Sequence, residues 1–104
     1  MEDWTAGELE TKLDAGEQIF LKLWKPGCGA CKLSSPAIER IEKEYGSEMQ
    51  FGQINTEEFP EMLEITKTNV LPVFFLFKEK ELKGKFIGFK GLKKLQNWIS
   101  ETGV

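Results

Sequence analysis

The chain has 104 residues, which suits one domain spanning 1–104 and leaves no room for a second. A hydrophobic fraction of 40% and a charged fraction of 30% are those of a folded protein, and they exclude collagen, low-complexity disorder and a membrane-spanning chain. Histidine is absent, which excludes catalysis by Cys–His or Ser–His pairs and metal binding by imidazole.

The net charge of −3 gives no electrostatic basis for binding nucleic acid or an acidic membrane surface, and we expect neither. Residues 1–4 carry neither the basic segment nor the apolar segment of a secretory signal. We therefore expect a cytoplasmic protein, and its small size and balanced surface charge predict a monomer.

The first half of the chain predicts two helices around one buried strand. Thr5 and Glu8 fit the capping box that begins a helix, and Gly16 is placed to end it. Residues 18–24 have the pattern of a strand that is mostly apolar on both faces, which predicts a parallel or mixed sheet covered by helices on both sides. A second helix follows Cys28. Its apolar stripe comprises Leu33, Ala37, Ile38, Ile41 and Tyr45.

The second half predicts a short strand over 50–54, a short helix opened by Pro60 and a hairpin followed by a last helix. The hairpin joins a buried strand over 70–77, where Pro72 is tolerated only near the start, to a strand over 85–89. The order α-β-α-β-α-β-β-α predicts an α/β fold in which a central mixed sheet of about four strands is flanked by helices on both faces.

The only cysteines, Cys28 and Cys31, lie between the first predicted strand and the second helix. Zinc needs four ligands, so a zinc site would have to be shared with another chain, and we expect no metal. A structural disulfide that closes so short a loop stabilises by only about 2 kcal/mol. Buried, inert thiols are common in reducing compartments, but Pro26, Gly27 and Gly29 are loop residues that bring the backbone to the surface. A redox dithiol is the interpretation that these residues favour.

In a redox dithiol the two cysteines have different roles. Cys28 lies at the start of the predicted helix, where unpaired N–H groups and the helix dipole favour a thiolate by about 0.3–1 kcal/mol. The thiolate is the form that attacks a disulfide. Cys31 lies one turn later on the same helix face, within reach of Cys28. We therefore expect Cys28 to attack a substrate disulfide and Cys31 to resolve the mixed disulfide.

Four segments connect this dithiol to a known family. They are Trp24-Lys-Pro-Gly-Cys-Gly-Ala-Cys-Lys32, Pro36 within the following helix, Val70-Leu-Pro-Val73 at the start of an apolar strand, and Gly88 before the last helix. In this order the sequence resembles the thioredoxin family over nearly its whole length. A Cys-X-X-Cys motif alone is a weak signal, but its combination with the preceding Trp and the distant Pro is specific.

The resemblance implies a thioredoxin fold and a protein-disulfide reductase that needs no cofactor and receives electrons from a thioredoxin reductase. It implies that Pro72 follows a cis peptide bond and that the backbone of Leu71 pairs with substrate as an added strand. Disulfide-containing proteins would be the substrates. The rim that receives them would comprise Trp24, Gly27, Leu71, Pro72 and Gly88.

The sequence departs from the family pattern around the dithiol. Gly27 replaces a second Trp, and Ala30 replaces a Pro after Gly29, which changes the dipeptide expected to tune the redox couple. Lys22 stands where the family has a buried acid, and Gln53 replaces the Lys that partners this acid. Two accounts of Lys22 stay open: its ammonium extends to water, or it lowers the thiol pKa values and tunes the couple.

Two further functions stay open besides disulfide reduction. A protein linked to glutathione or another small thiol needs a dedicated groove, for which the sequence has no convincing motif. A thioredoxin-like docking or binding subunit without significant turnover is compatible with the loss of the acid, its Lys partner and the rim Trp.

Overall fold

A five-stranded sheet with helices on both faces forms the architecture. The computed structural model describes residues 1–103. Within these residues the elements in chain order are β1 (Glu2–Asp3), α1 (Ala6–Asp14), β2 (Ile19–Trp24), α2 (Gly29–Tyr45), β3 (Gln50–Asn55), α3 (Met62–Thr66), β4 (Val73–Lys78), β5 (Glu81–Ile87) and α4 (Leu92–Thr102).

The sheet is mixed, as predicted, and its strand order is β1-β3-β2-β4-β5. Strands β1, β3 and β2 run parallel, whereas β4 is antiparallel to both β2 and β5. The sequence did not predict β1, because its two residues are too short to show the alternation of a strand. This short strand covers the edge of β3 by pairing with Gly52 and Gln53.

Strand β2 lies at the centre of the sheet and separates two hydrophobic cores. Leu21 belongs to the core on one face, where Leu9 of α1 and Met62 of α3 cover it. Phe20 belongs to the core on the other face, together with Ile38 of α2 and residues of α4. Both faces of β2 are therefore buried, which confirms the prediction from its two apolar faces.

Local sequence signals set the ends of the helices. The Thr5 hydroxyl accepts a hydrogen bond from the N–H of Glu8 at 3.0 Å, and the Glu8 carboxylate accepts one from the N–H of Thr5 at 3.4 Å, which confirms the capping box. Gly16 follows the end of α1 with a φ of +76°. The longest helix, α2, ends at its C-cap Gly46 as predicted. In the described chain, no helix is both long and apolar enough to cross a membrane.

Three details differ from the sequence predictions. Leu33 is 72% exposed, because the buried face of α2 passes through Cys31, Ser34 and Ile38, and Leu33 lies on the opposite side of the helix. Strand β4 begins only after Pro72, which lacks the N–H of a sheet residue. Strand β5 begins at Glu81, four residues before the predicted start, and ends before Gly88, whose φ of +81° is incompatible with an extended strand.

Candidate active site

The two cysteines lie at the start of α2 and are joined in a disulfide. Cys28 is the N-cap residue, and its sulfur accepts a hydrogen bond from the N–H of Cys31 at 3.1 Å. Cys28 is half-buried, whereas Cys31 is only 3% exposed. The expected proximity of the sulfurs is confirmed, and Cys28 is the one that an incoming molecule can reach.

The loop before β4 lies directly against Cys28. The carbonyl oxygen of Leu71 is 3.8 Å from the Cys28 sulfur, and the Leu71–Pro72 peptide bond is cis, as the resemblance implied. The N–H of Gly88 donates to the carbonyl of Pro72 at 2.7 Å, which holds the loop after β5 beside the loop before β4. Leu71, Pro72 and Gly88 are therefore brought together beside the dithiol, although more than 40 residues separate the cysteines from Pro72.

Trp24 and Gly27 line a cavity together with Cys28. Trp24 ends β2, and its carbonyl accepts hydrogen bonds from the N–H of Thr56 at 2.8 Å and its hydroxyl at 3.1 Å. The indole N–H of Trp24 is buried and has no partner within residues 1–103. Gly27 is exposed with a φ of +81°, a conformation that strains any residue with a side chain, which explains glycine at this position.

Lys22 is buried beneath the dithiol with 2% of its surface exposed. It lies on β2 between Gln53 of β3 and Phe74 of β4, and its ammonium donates to the carbonyl oxygen of Cys31 at 2.9 Å. Burial lowers the pKa of Lys22 to about 8, and no carboxylate offsets that effect. The idea that its ammonium extends into bulk water is wrong, because the β-strand position holds the side chain under the first turn of α2.

Serine hydroxyls also bind the carbonyl that Lys22 contacts. Ser34 is fully buried and donates to the Cys31 oxygen at 2.7 Å, and Ser35 donates to the same oxygen at 3.4 Å. Neither serine is among the site residues predicted from the sequence. Their spacing from Cys31 at i+3 and i+4 is the signal that places their hydroxyls near that carbonyl.

A cavity of about 150 Å³ opens beside the dithiol. Lys25 and Lys32, which are not among the site residues predicted from the sequence, flank the cysteine motif and add two exposed lysines to its wall. Gly29 and Ala30 form the first turn of α2 and are not part of the wall. The lining residues are Lys22, Trp24, Lys25, Pro26, Gly27, Cys28, Cys31, Lys32, Ser35 and Gln53.

The chain is similar in sequence to thioredoxins of bacteria and chloroplasts. Thioredoxin of Rickettsia typhi is 29% identical over 90 residues, which make up 86% of this chain and 86% of that protein. Chloroplastic thioredoxin M-type of Spinacia oleracea is 32% identical over 79 residues, or 76% of this chain and 44% of that protein. The chain thus spans less than half the length of the chloroplast relatives it matches.

The fold comparison agrees with the sequence comparison. Mitochondrial thioredoxin 3 of Saccharomyces cerevisiae, in its oxidised form, superimposes with a TM-score of 0.85 at 22% identity, covering 97% of this chain and 94% of that one. A sequence model of the thioredoxin family matches residues 2–101, which include the dithiol, the loop before β4 and the last helix. The chain belongs to the thioredoxin family.

Proposed function

We propose that the protein is a thiol–disulfide oxidoreductase that reduces protein disulfides through Cys28 and Cys31. The observation that carries this proposal is the pair of sulfurs at the start of α2, one half-buried and one buried, within bonding distance of each other. The N-cap position places Cys28 where the N–H group of Cys31 and the positive end of the helix dipole stabilise a thiolate.

The reaction transfers two electrons from the protein dithiol to the substrate. The Cys28 thiolate attacks one sulfur of the substrate disulfide, forms a mixed disulfide and releases the first substrate thiolate. Cys31 gives up its proton and attacks the Cys28 sulfur, which releases the second substrate thiolate and forms the Cys28–Cys31 disulfide. The two substrate thiolates take up protons from solvent or from Cys31. A reductase must return two electrons and two protons to the protein before the next cycle.

The rim around Cys28 is proposed to dock the substrate. Within residues 1–103, neither the N–H nor the carbonyl of Leu71 is paired with another backbone group, so both can bind an extended substrate segment. Trp24, Gly27, Pro72 and Gly88 surround Cys28 and provide the remaining contacts. The carbonyl of Leu71 faces the Cys28 sulfur, which brings a segment bound there into line with the reacting atom.

Residues beside the cysteines are proposed to tune the reactivity of the Cys28/Cys31 redox couple. A charged Lys22 under α2 favours the thiolate form of the dithiol and so raises the reactive fraction at neutral pH. Gly29 and Ala30 separate the two cysteines in the first turn of α2 and set the conformation in which the disulfide closes. Alkylation of Cys28 across pH in the reduced protein and in Lys22→Ala tests this tuning, because an unchanged titration would contradict it.

The remaining properties are proposed from family membership. We propose a domain of residues 1–104 that acts as a monomer in the cytoplasm and is recycled by a thioredoxin reductase. Gel filtration with light scattering tests the monomer, and reduction by NADPH with a purified bacterial thioredoxin reductase tests the electron donor.

Reduction of insulin disulfides with dithiothreitol as electron source tests the proposed activity. We expect turnover by the protein and none above the dithiothreitol background by Cys28→Ser, whereas Ser100→Ala, on the exposed side of α4, should retain full turnover. Absence of turnover by the unmodified protein would instead support a docking subunit, a role that the departures at Gly27, Lys22 and Gln53 favour.

A further inference from the structure

The charged residues that line the cavity beside the dithiol are all positive. Its wall includes the ammonium-bearing residues Lys22, Lys25 and Lys32, and none of its lining residues is Asp or Glu. We call this cavity the lysine pocket. The chain as a whole is acidic, with a net charge of −3, so the pocket concentrates positive charge against the overall balance.

Two lining residues carry hydrogen-bond donors that are not fully paired. Lys22 gives one of its three N–H groups to the carbonyl of Cys31 and has no other hydrogen bond in the described residues. The indole N–H of Trp24 is shielded from solvent and unpaired. A buried polar group without a partner costs free energy, and so does a buried cation without a counter-ion. Both costs fall when an anion enters the pocket.

The protein's own carboxylates do not supply that anion. Asp3 accepts a hydrogen bond at 2.8 Å from the amide of Gln53, which lines the pocket, and it forms no ion pair with any of the three lysines within residues 1–103. Neither Lys25 nor Lys32 forms an ion pair within residues 1–103. The three lysines are therefore available to a bound anion.

We propose that the lysine pocket binds a carboxylate of the disulfide substrate and thereby selects substrates with an acidic group next to the reacting sulfur. This inference rests on the proposed reductase function and names its substrate class. A cavity of about 150 Å³ holds a carboxylate and a short stem but not a folded segment. Cys28 forms part of the same wall, so a carboxylate held there places the adjacent disulfide at its sulfur.

Two small disulfides separate the binding of the carboxylate from the reactivity of the thiol. 5,5′-Dithiobis(2-nitrobenzoate) carries a carboxylate on each ring, whereas 4,4′-dithiodipyridine is uncharged at pH 7. The reduced protein is mixed with each in turn by stopped flow, and the ratio of the two second-order rate constants is compared between variants. A change in thiol reactivity alters both rate constants, so the ratio reports the carboxylate.

The test variant is Lys25→Gln with Lys32→Gln, which removes two charges from the pocket wall and leaves the buried residues in place. The matched control is Lys78→Gln with Lys80→Gln, which removes the same charge at the far end of β4 from Pro72. We expect the ratio of anionic to neutral rate constants to fall about threefold or more in the pocket variant and to stay unchanged in the control.

A second arm identifies the source of the carboxylate. Disulfide-linked peptides with Glu or Gln beside the cysteine represent a protein substrate, and the nitrobenzoate represents a small acidic disulfide. If the pocket variant no longer reacts faster with the Glu peptide than with the Gln peptide, the site is assigned to protein substrates. If only its preference for the nitrobenzoate over the uncharged disulfide is lost, the site is assigned to small disulfides.

Failure of the inference and failure of the proposed function give different results. The carboxylate site is overturned if the ratio of anionic to neutral rate constants is the same in the protein, the pocket variant and the control while both small disulfides are reduced rapidly. That result would not contradict the proposed reductase function. No reaction of the reduced protein with the uncharged disulfide would overturn the reductase itself.

Discussion

Replacing Lys22 by Met is expected to stabilise the folded protein at neutral pH. The ammonium of Lys22 is buried, and burial lowers its pKa from 10.5 to about 8. At 1.36 kcal/mol for each pH unit, that difference corresponds to at most about 3 kcal/mol by which the charged form opposes folding, and solvent in the adjoining cavity screens part of it. Met has a similar length and no charge to desolvate. Its introduction removes one hydrogen bond from the Cys31 carbonyl, which still accepts from Ser34. We expect a net gain of about 1–3 kcal/mol at pH 7.

The pH dependence of this gain has a definite sign. Below pH 8, Lys22 is charged in both the folded and unfolded states, and the folded state bears the full cost. Between pH 8 and 10.5 the unfolded state binds more protons, so the stability of the unmodified protein rises with pH and the advantage of Lys22→Met shrinks. The difference in unfolding free energy between the two proteins is expected to fall by about 2 kcal/mol from pH 7 to pH 9.5.

Urea unfolding of the oxidised proteins at several pH values between 6.5 and 9.5 measures this difference. The oxidised state removes thiol titration, and all other groups are common to both proteins and cancel. Lys94→Met, on the exposed side of α4, is the control and should show no pH-dependent difference. A Lys22→Met protein that is less stable at pH 7, or whose advantage is the same at pH 7 and pH 9.5, would refute the reasoning.

Three other substitutions test the site and the fold. Cys31→Ser is expected to retain attack but not resolution, so it should accumulate a mixed disulfide with a substrate that appears on non-reducing gels and disappears on adding thiol. Gly52→Ala is expected to lower the unfolding free energy by about 1–3 kcal/mol in urea, because its Cβ would overlap the Trp4 ring packed on β3. Thr5→Ala is expected to lower it by about 1 kcal/mol, since the capping box with Glu8 is lost; an unchanged urea midpoint would contradict this role.

The sequence predicted the parts of the site that are continuous in the chain. The sequence from Trp24 to Cys31 predicts the end of a strand, a turn and the start of a helix from local patterns, and the structure has all three. The approach of Leu71 to Cys28 depends on the antiparallel pairing of β2 with β4, which no local pattern specifies. The family resemblance, not residue spacing, predicted that Leu71 and Pro72 belong to the rim of the site.

Other features could not be predicted because they depend on packing around a side chain. An alternating strand pattern places Lys22 and Phe20 on one face, but it does not say that α2 closes over the ammonium. The exposure of Leu33 could not be predicted for the same reason. The apolar stripe of α2 is compatible with two rotations of the helix about its axis, and packing against the sheet selects the rotation that buries Ser34. The lysine pocket likewise requires β2, the turn after it and α2 to be placed together.

The position of Lys22 links stability to function. A buried cation that opposes folding by at most about 3 kcal/mol contributes nothing to the core that an apolar residue would not contribute better. Its ammonium binds the carbonyl of Cys31, the residue proposed to resolve the mixed disulfide. Under the proposed function, a cation there favours the thiolate form of the dithiol and so raises its reactive fraction at neutral pH. In the carboxylate site proposed above, the same charge would attract an acidic substrate, so a group that destabilises the fold would support both the chemistry of the dithiol and its selectivity.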